Sequence, residues 1–215
     1  MTRRYCARCG KAESACICSW IKPQANSLAV LVLQHPDEHN KAIGTARLVE
    51  YGLERAKVIT GLHFDQAGIM AQLSALSASR PVLLYPKALA GSQAHFVLDF
   101  ETEHFSVPPL LNAYDSIILL DGTWRNTREL VHVNSWLNTL PTLGLEHSEN
   151  SRYRIRQANK TGALATIEAV SKVLSVLDVN HMADQFLLPF EKMIEFQIAK
   201  MGPVVFQKNY LENQD

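Results

Sequence analysis

The chain has 215 residues, 47% of them apolar, enough for one sizeable core with a small appendage. Lysine plus arginine balances aspartate plus glutamate at 21 each, so net charge gives no sign of a polyanion partner. No apolar run approaches the roughly 20 residues needed to span a bilayer, and the basic start Met1-Thr2-Arg3-Arg4-Tyr5-Cys6 has no apolar segment behind it, so neither a membrane span nor a signal peptide is expected. A cytosolic protein without membrane contact is the expectation.

All four cysteines fall in the first eighteen residues, as Cys6-x2-Cys9-x6-Cys16-x-Cys18. In a reducing compartment such a cluster reads as a metal site rather than a disulfide framework, and four thiolates suit tetrahedral zinc. With every ligand a thiolate, the zinc is expected to be structural. Arg3, Arg4, Arg8 and Lys11 are expected to lower the thiol pKa values and offset the charge. Residues 1–22 are read as this zinc-binding segment and 27–205 as the main domain.

After a connector holding Pro23, residues 28–33 form a continuous apolar run that fits a buried strand. The run ends in a polar turn, Gln34 to Lys41, with His35, Glu38 and His39. These read as hydrogen-bonded turn residues in preference to a second metal site. Residues 42–49 then carry helical spacing, 57–60 a weak strand signal, and 66–78 a helix with Ile69, Met70, Leu73 and Leu76 on one face. Residues 81–86 make another short buried strand, whose exit at Tyr85-Pro86-Lys87 is polar. Residues 94–99 are ambiguous, and Pro108-Pro109 marks a break.

The stretch that draws most attention is Ile117-Ile118-Leu119-Leu120-Asp121-Gly122-Thr123-Trp124. An apolar run stops at an acid, a glycine, a hydroxyl and an indole, and a helical pattern follows. Ligands in open α/β sheets sit beyond the carboxyl ends of the strands, at the amide-rich ends of the following helices. A plainer reading stands beside this one. Asp121 would then cap the helix, accepting from the amides of Thr123 or Trp124, and Gly122 would permit the turn.

Residues 128–137 suit a mostly buried helix, and 140–145 a short edge strand, since Pro141 cannot donate to a central ladder. Arg152, Arg154, Arg156 and Lys160 then form the densest basic cluster, a local phosphate-binding candidate or a solvated loop. A helix follows with Leu164, Ile167, Val170, Val173, Leu174 and Leu177 as its stripe. Thr166 and Glu168 stand in its first turn, where an acid also compensates the helix dipole. The last helix spans 180–200, with Pro189 expected to kink it. Strands alternating with helices indicate an α/β fold with a mainly parallel sheet and helices on both faces. No dinucleotide-binding, P-loop, nucleophile-elbow or H-E-x-x-H motif occurs.

Several marks taken together resemble the DTW-domain family. They are the cysteine cluster, His35-Pro36-x-Glu38-x-x-Lys41-x-x-Gly44-Thr45, Asp121-x-Thr123-Trp124, and Tyr153-x-Ile155-Arg156 leading to Leu164-Ala165-Thr166-Ile167-Glu168-Ala169. The likeness runs from Cys6 to Ala169 in the family's order. Two departures are visible, Thr127 where alanine is usual and Ala165 where serine is frequent. Both lie beside the site rather than at its acid and bear on substrate detail more than on reaction class.

The resemblance implies a SPOUT-like fold, with a knot expected that periodicity cannot distinguish from a doubly wound sheet. It implies transfer of the 3-amino-3-carboxypropyl group of S-adenosylmethionine to N3 of a uridine in tRNA. S-adenosylmethionine would sit among loops at the strand ends, near Leu120, Gly122, Tyr85, Pro86, Thr166 and Glu168. Asp121 is the candidate base for the uracil N3 proton, with Trp124 to stack on the flipped base or shape the cofactor pocket and Thr123 to hydrogen-bond either. Arg47, Arg154 and Arg156, with Lys41, are candidates for contacts to the RNA backbone or, for the arginines, to the cofactor carboxylate. The rival readings are an RNA methyltransferase of the same architecture and a zinc-bearing RNA-binding protein without catalysis. Which tRNA, which uridine and which oligomeric state are not written in the sequence.

Overall fold

The computed structural model describes residues 4–39, 41, 44–101, 108–146, 151 and 164–207. The apolar runs form β1 (Ala29–Gln34), β2 (Ala56–Thr60), β3 (Pro81–Leu84), β4 (His95–Asp99), β5 (Ser116–Asp121) and β6 (Thr142–Glu146). They make one six-stranded sheet in the order β2-β1-β5-β3-β6-β4. Every pairing is parallel, so the carboxyl ends of all strands share one edge of the sheet.

A strand buried on both faces needs apolar residues at consecutive positions, because successive side chains point to opposite sides. β1 shows the consequence directly. Val30 and Val32 enter one core cluster, while Leu31 and Leu33 enter the other. In β5, Ile117 and Leu119 alternate with Ile118 in the same way.

The first cluster is covered by α1 (Ala46–Gly52), α4 (Thr166–Leu177) and α5 (Ala183–Met201), through Leu48, Ile167, Val170, Phe186 and Phe190. The second is covered by α2 (Gln66–Ala75) and α3 (Trp124–Val133), through Ile69, Leu73, Leu130 and Val131. The expected α/β architecture, with helices on both faces of a parallel sheet, is therefore the one observed. The cysteine segment packs on the first cluster, where Cys9, Ile17 and Ile21 are buried with Val30 and Leu48. No helix among the described residues is long and apolar enough to cross a membrane.

Two local expectations are corrected. β6 lies inside the sheet between β3 and β4, not at its edge. Pro141 precedes the strand and contributes only its carbonyl, which accepts from the Leu83 amide at 2.9 Å, so its missing N–H disturbs no ladder. The helix expected over 128–137 instead stops at Val133, before a separate 3-10 turn at Ser135–Thr139. Asn134 causes the break. Its amide group donates to the Leu62 and Leu130 carbonyls, and its oxygen accepts from the Phe64 amide at 2.6 Å. α5 runs on through Pro189.

Candidate active site

β1 and β5 pair in register so that Gln34 stands opposite Asp121, each the last residue of its strand. Asp121 is 9% exposed. Its Oδ2 accepts from Gln34 Nε2 at 2.9 Å, and its Oδ1 accepts from the Thr166 hydroxyl. Burying a carboxylate is costly unless its lone pairs are met, and here both oxygens are met by neutral donors. Gln34 is itself held, since its Oε1 accepts from Thr60 Oγ1 at 3.0 Å at the end of β2. Neither Gln34 nor Thr60 stood out in the sequence. The one available signal was a polar amide closing an apolar strand run.

The structure separates Asp121 from the capping role. Thr123 is the N-cap of α3: its Oγ1 accepts from the Asn126 amide at 3.2 Å, and its carbonyl accepts from the Thr127 amide. Gly122 has a steric requirement, because a Cβ there would lie 2.9 Å from the Asn126 Cβ and 3.6 Å from that of His35. Trp124 begins α3 with its side chain outward and is 49% exposed, although it follows the buried acid by three residues. Leu120 is half-buried against the second core cluster. Tyr85 is buried within that cluster, and burial pushes its hydroxyl pKa up against the opposing effect of Arg128. Pro86 is exposed at the exit of β3.

Glu168 is turned to the start of its own helix, two residues after Thr166. Its Oε2 accepts from the Ala165 amide at 2.8 Å and from Ser151 Oγ at 2.5 Å. This is one half of a capping box. Ala165 has no side-chain oxygen to supply the other half.

Lys41 is exposed and pairs with Glu38 at 2.7 Å. The Arg47 guanidinium lies against Gly10, where an added Cβ would strike it and where φ is +70°. Both line a cleft of about 430 Å³ between the cysteine segment and the exit of β1, with Gln34 in its wall. Burial lowers the ammonium of Lys11 in that cleft to about 8, and it donates to the Gly44 carbonyl at 3.1 Å. Arg154 and Arg156 lie outside the described residues.

The four cysteine Sγ atoms lie within 4.8 Å of one another. Cys6 and Cys18 are 3.6 Å apart, and Cys9 and Cys16 are 3.8 Å apart. Tetrahedral zinc with bonds of about 2.3 Å would space its sulfurs about 3.8 Å apart, so the donor set fits that ion. Of the basic side chains expected to favour the thiolates, Lys11 has an electrostatic interaction with Cys9, and backbone groups act beside it. Backbone amides of Cys9 and Arg8 pull the Cys6 thiol down to about 6, whereas burial pushes Cys18 up to about 12. The Arg8 guanidinium lies instead over the Tyr51 ring, 5.5 Å from its centroid.

Fold and site together define an α/β protein with a neutral-bonded acid at the carboxyl end of an inner parallel strand and a four-cysteine knuckle on one face. The family model described as DTW domain matches residues 3–198, and the chain belongs to that family. It is 28% identical over 214 residues to proteins named tRNA-uridine aminocarboxypropyltransferase 2 from Macaca fascicularis and Mus musculus, covering 97% of this chain and 68% of each relative. A Drosophila melanogaster protein of the same name is 28% identical over 202 residues, covering 91% of this chain and 76% of the relative. No solved structure matches the chain.

Proposed function

We propose that this chain modifies tRNA in the cytosol by transferring the 3-amino-3-carboxypropyl group of S-adenosylmethionine to N3 of a uridine, with a structural zinc in the knuckle. Family membership and the names of the relatives support the reaction class. The observation that carries the reading here is Asp121, a buried carboxylate whose side-chain bonds among the described residues come from neutral donors, three residues from a half-exposed tryptophan.

Bound S-adenosylmethionine would supply a carbon already activated by a sulfonium leaving group. The protein must then choose which carbon meets the nucleophile and must free that nucleophile. The strand ends have suitable chemistry for the group. α3 offers its N-terminal turn to a carboxylate, Trp124 an aromatic face, and Leu120, Gly122, Tyr85, Pro86, Thr166 and Glu168 stand at or beside the exits of β3 and β5 or the start of α4. Asp121 would take the imide proton as N3 displaces the sulfur, the C–S bond breaking to release a neutral thioether. Trp124 receives the flipped uracil, a stack worth about 1 to 3 kcal/mol, and Thr123 hydrogen-bonds it. Lys41, Arg47, Arg154 and Arg156 hold the RNA backbone.

The test is incubation with unmodified tRNA and S-adenosylmethionine labelled in the aminocarboxypropyl group, with mass spectrometry of the tRNA. The heavy adduct is expected on uridine. A methyl adduct would replace this reading by that of a methyltransferase, and no adduct by that of a non-catalytic RNA-binding protein. Asp121→Asn is expected to abolish transfer while retaining cofactor binding; near-full turnover would remove Asp121 as the base.

A further inference from the structure

We propose that Gln34 and Thr60 are positioning residues for Asp121, forming a chain of hydrogen bonds that holds its carboxylate oriented for proton abstraction. The inference rests on the reading of Asp121 as the base and adds two residues from other strands to that site.

The direction of the chain follows from counting protons. Thr60 has one hydroxyl proton, and it is donated to Gln34 Oε1 at 3.0 Å. Thr60 Oγ1 can then only accept from His39 Nδ1, 3.2 Å away, which places the proton of that histidine on Nδ1. With Oε1 committed to Thr60, the amide nitrogen of Gln34 faces Asp121 Oδ2 at 2.9 Å as a donor. Reversed, the amide would turn its oxygen on the carboxylate. The carboxylate, an acceptor only, takes the amide nitrogen of Gln34, and the Thr60 hydroxyl holds the other end of that amide in place.

The groups around Asp121 leave this work to neutral donors. On the β1 exit, the ring of His35 faces Asp37 at 3.5 Å and Glu129 of α3 at 3.7 Å. Lys41 is paired with Glu38 at 2.7 Å, Glu168 of α4 accepts from Ala165 and Ser151, and Tyr85 and Arg128 lie on the β3 and α3 side. Among the described residues, none of these bonds the carboxylate. Neutral donors fix its orientation through directed hydrogen bonds.

The experiment compares Gln34→Met, Thr60→Val and Thr60→Ser by kcat and KM, with Asp121→Asn alongside. Thr60 is exposed at the end of an outer strand, so Thr60→Val keeps shape without threatening the fold. Loss of one hydrogen bond to a charged group is expected to lower kcat about 10-fold or more in Gln34→Met, and several-fold in Thr60→Val, with KM for both substrates little changed. Thr60→Ser keeps the hydroxyl and is expected to restore wild-type kcat. Wild-type kcat in Gln34→Met and Thr60→Val, with Asp121→Asn inactive, would overturn the positioning role alone. Retained turnover in Asp121→Asn would overturn the underlying reading as well.

Discussion

The hydroxyl of Thr166, the first residue of α4, donates to the carboxylate of Asp121, the last residue of β5, so that a helix and a strand 45 residues apart meet on one acid. Together with the Gln34 amide, this bond gives each carboxylate oxygen one neutral donor. Thr166→Val keeps the shape and removes the donor. It is expected to destabilise the protein by about 1 to 3 kcal/mol, the cost of leaving a buried acceptor unmet, and to lower transfer; Thr166→Ser should recover both. Urea unfolding and the transfer assay check this, and a Val variant as stable and active as wild type would contradict it.

The turn between acid and helix contains two residues with separable roles. Gly122→Ala places a Cβ 2.9 Å from the Asn126 Cβ, and the resulting overpacking is expected to cost about 1 to 3 kcal/mol. Thr123→Ala removes the α3 cap and is expected to cost about 1 kcal/mol. Thermal melts read both. An unchanged melting temperature in Thr123→Ala would return the capping role to another residue.

Metal removal should reach the core. Cys9 is buried beside Ile17 and Ile21 in the cluster that α1, α4 and α5 share, so the knuckle cannot open without exposing that apolar surface. The purified protein is expected to hold one zinc. Chelation or Cys9→Ala should remove it and lower the melting temperature substantially, as metal binding and folding are linked. Metal analysis beside melting curves tests this, and a metal-stripped protein with an unaltered melt would sink the structural role.

A pH effect on stability is expected from His181. Burial lowers its pKa, with Asp178 opposing; its Nε2 lies 3.0 Å from Ser171 Oγ, and its ring packs edge-on against Phe186 at 5.3 Å. Its buried Nδ1 has no partner among the described residues. The folded state thus disfavours the imidazolium that the unfolded chain forms below about pH 6.5. The stability contributed is fully present above that pH and is lost as the pH falls toward the lower folded value. Melts from pH 7.5 to 5 should show this decline, and His181→Gln should flatten it.

The elements most legible in the sequence were those with the simplest physics. Leu31 and Val32 read as a doubly buried strand because no polar side chain interrupts the run, and Ile167, Val170 and Leu174 read as a helix because their spacing admits one apolar face. The four cysteines read as one centre because they are close in the chain. Pro141 misled, because the rule against proline in a central strand applies only once the ladder has begun, and here it begins at Thr142. Asn134 gave no advance sign of ending α3, since its partners Leu62 and Phe64 come from a distant loop.

The acid at a strand end, the tryptophan beside it and the apolar run before them were determined locally, by residue type and order. The tertiary structure decided what the acid touches. Gln34 is 87 residues from Asp121 and meets it only because β1 and β5 pair in register; Thr60 is reached through the next strand, and Thr166 through the packing of α4 on the sheet. Asp121 through Trp124 left open whether the acid caps a helix or stands free for chemistry. The choice fell to Thr123, whose hydroxyl takes the cap and leaves the carboxylate to neutral donors from two other elements.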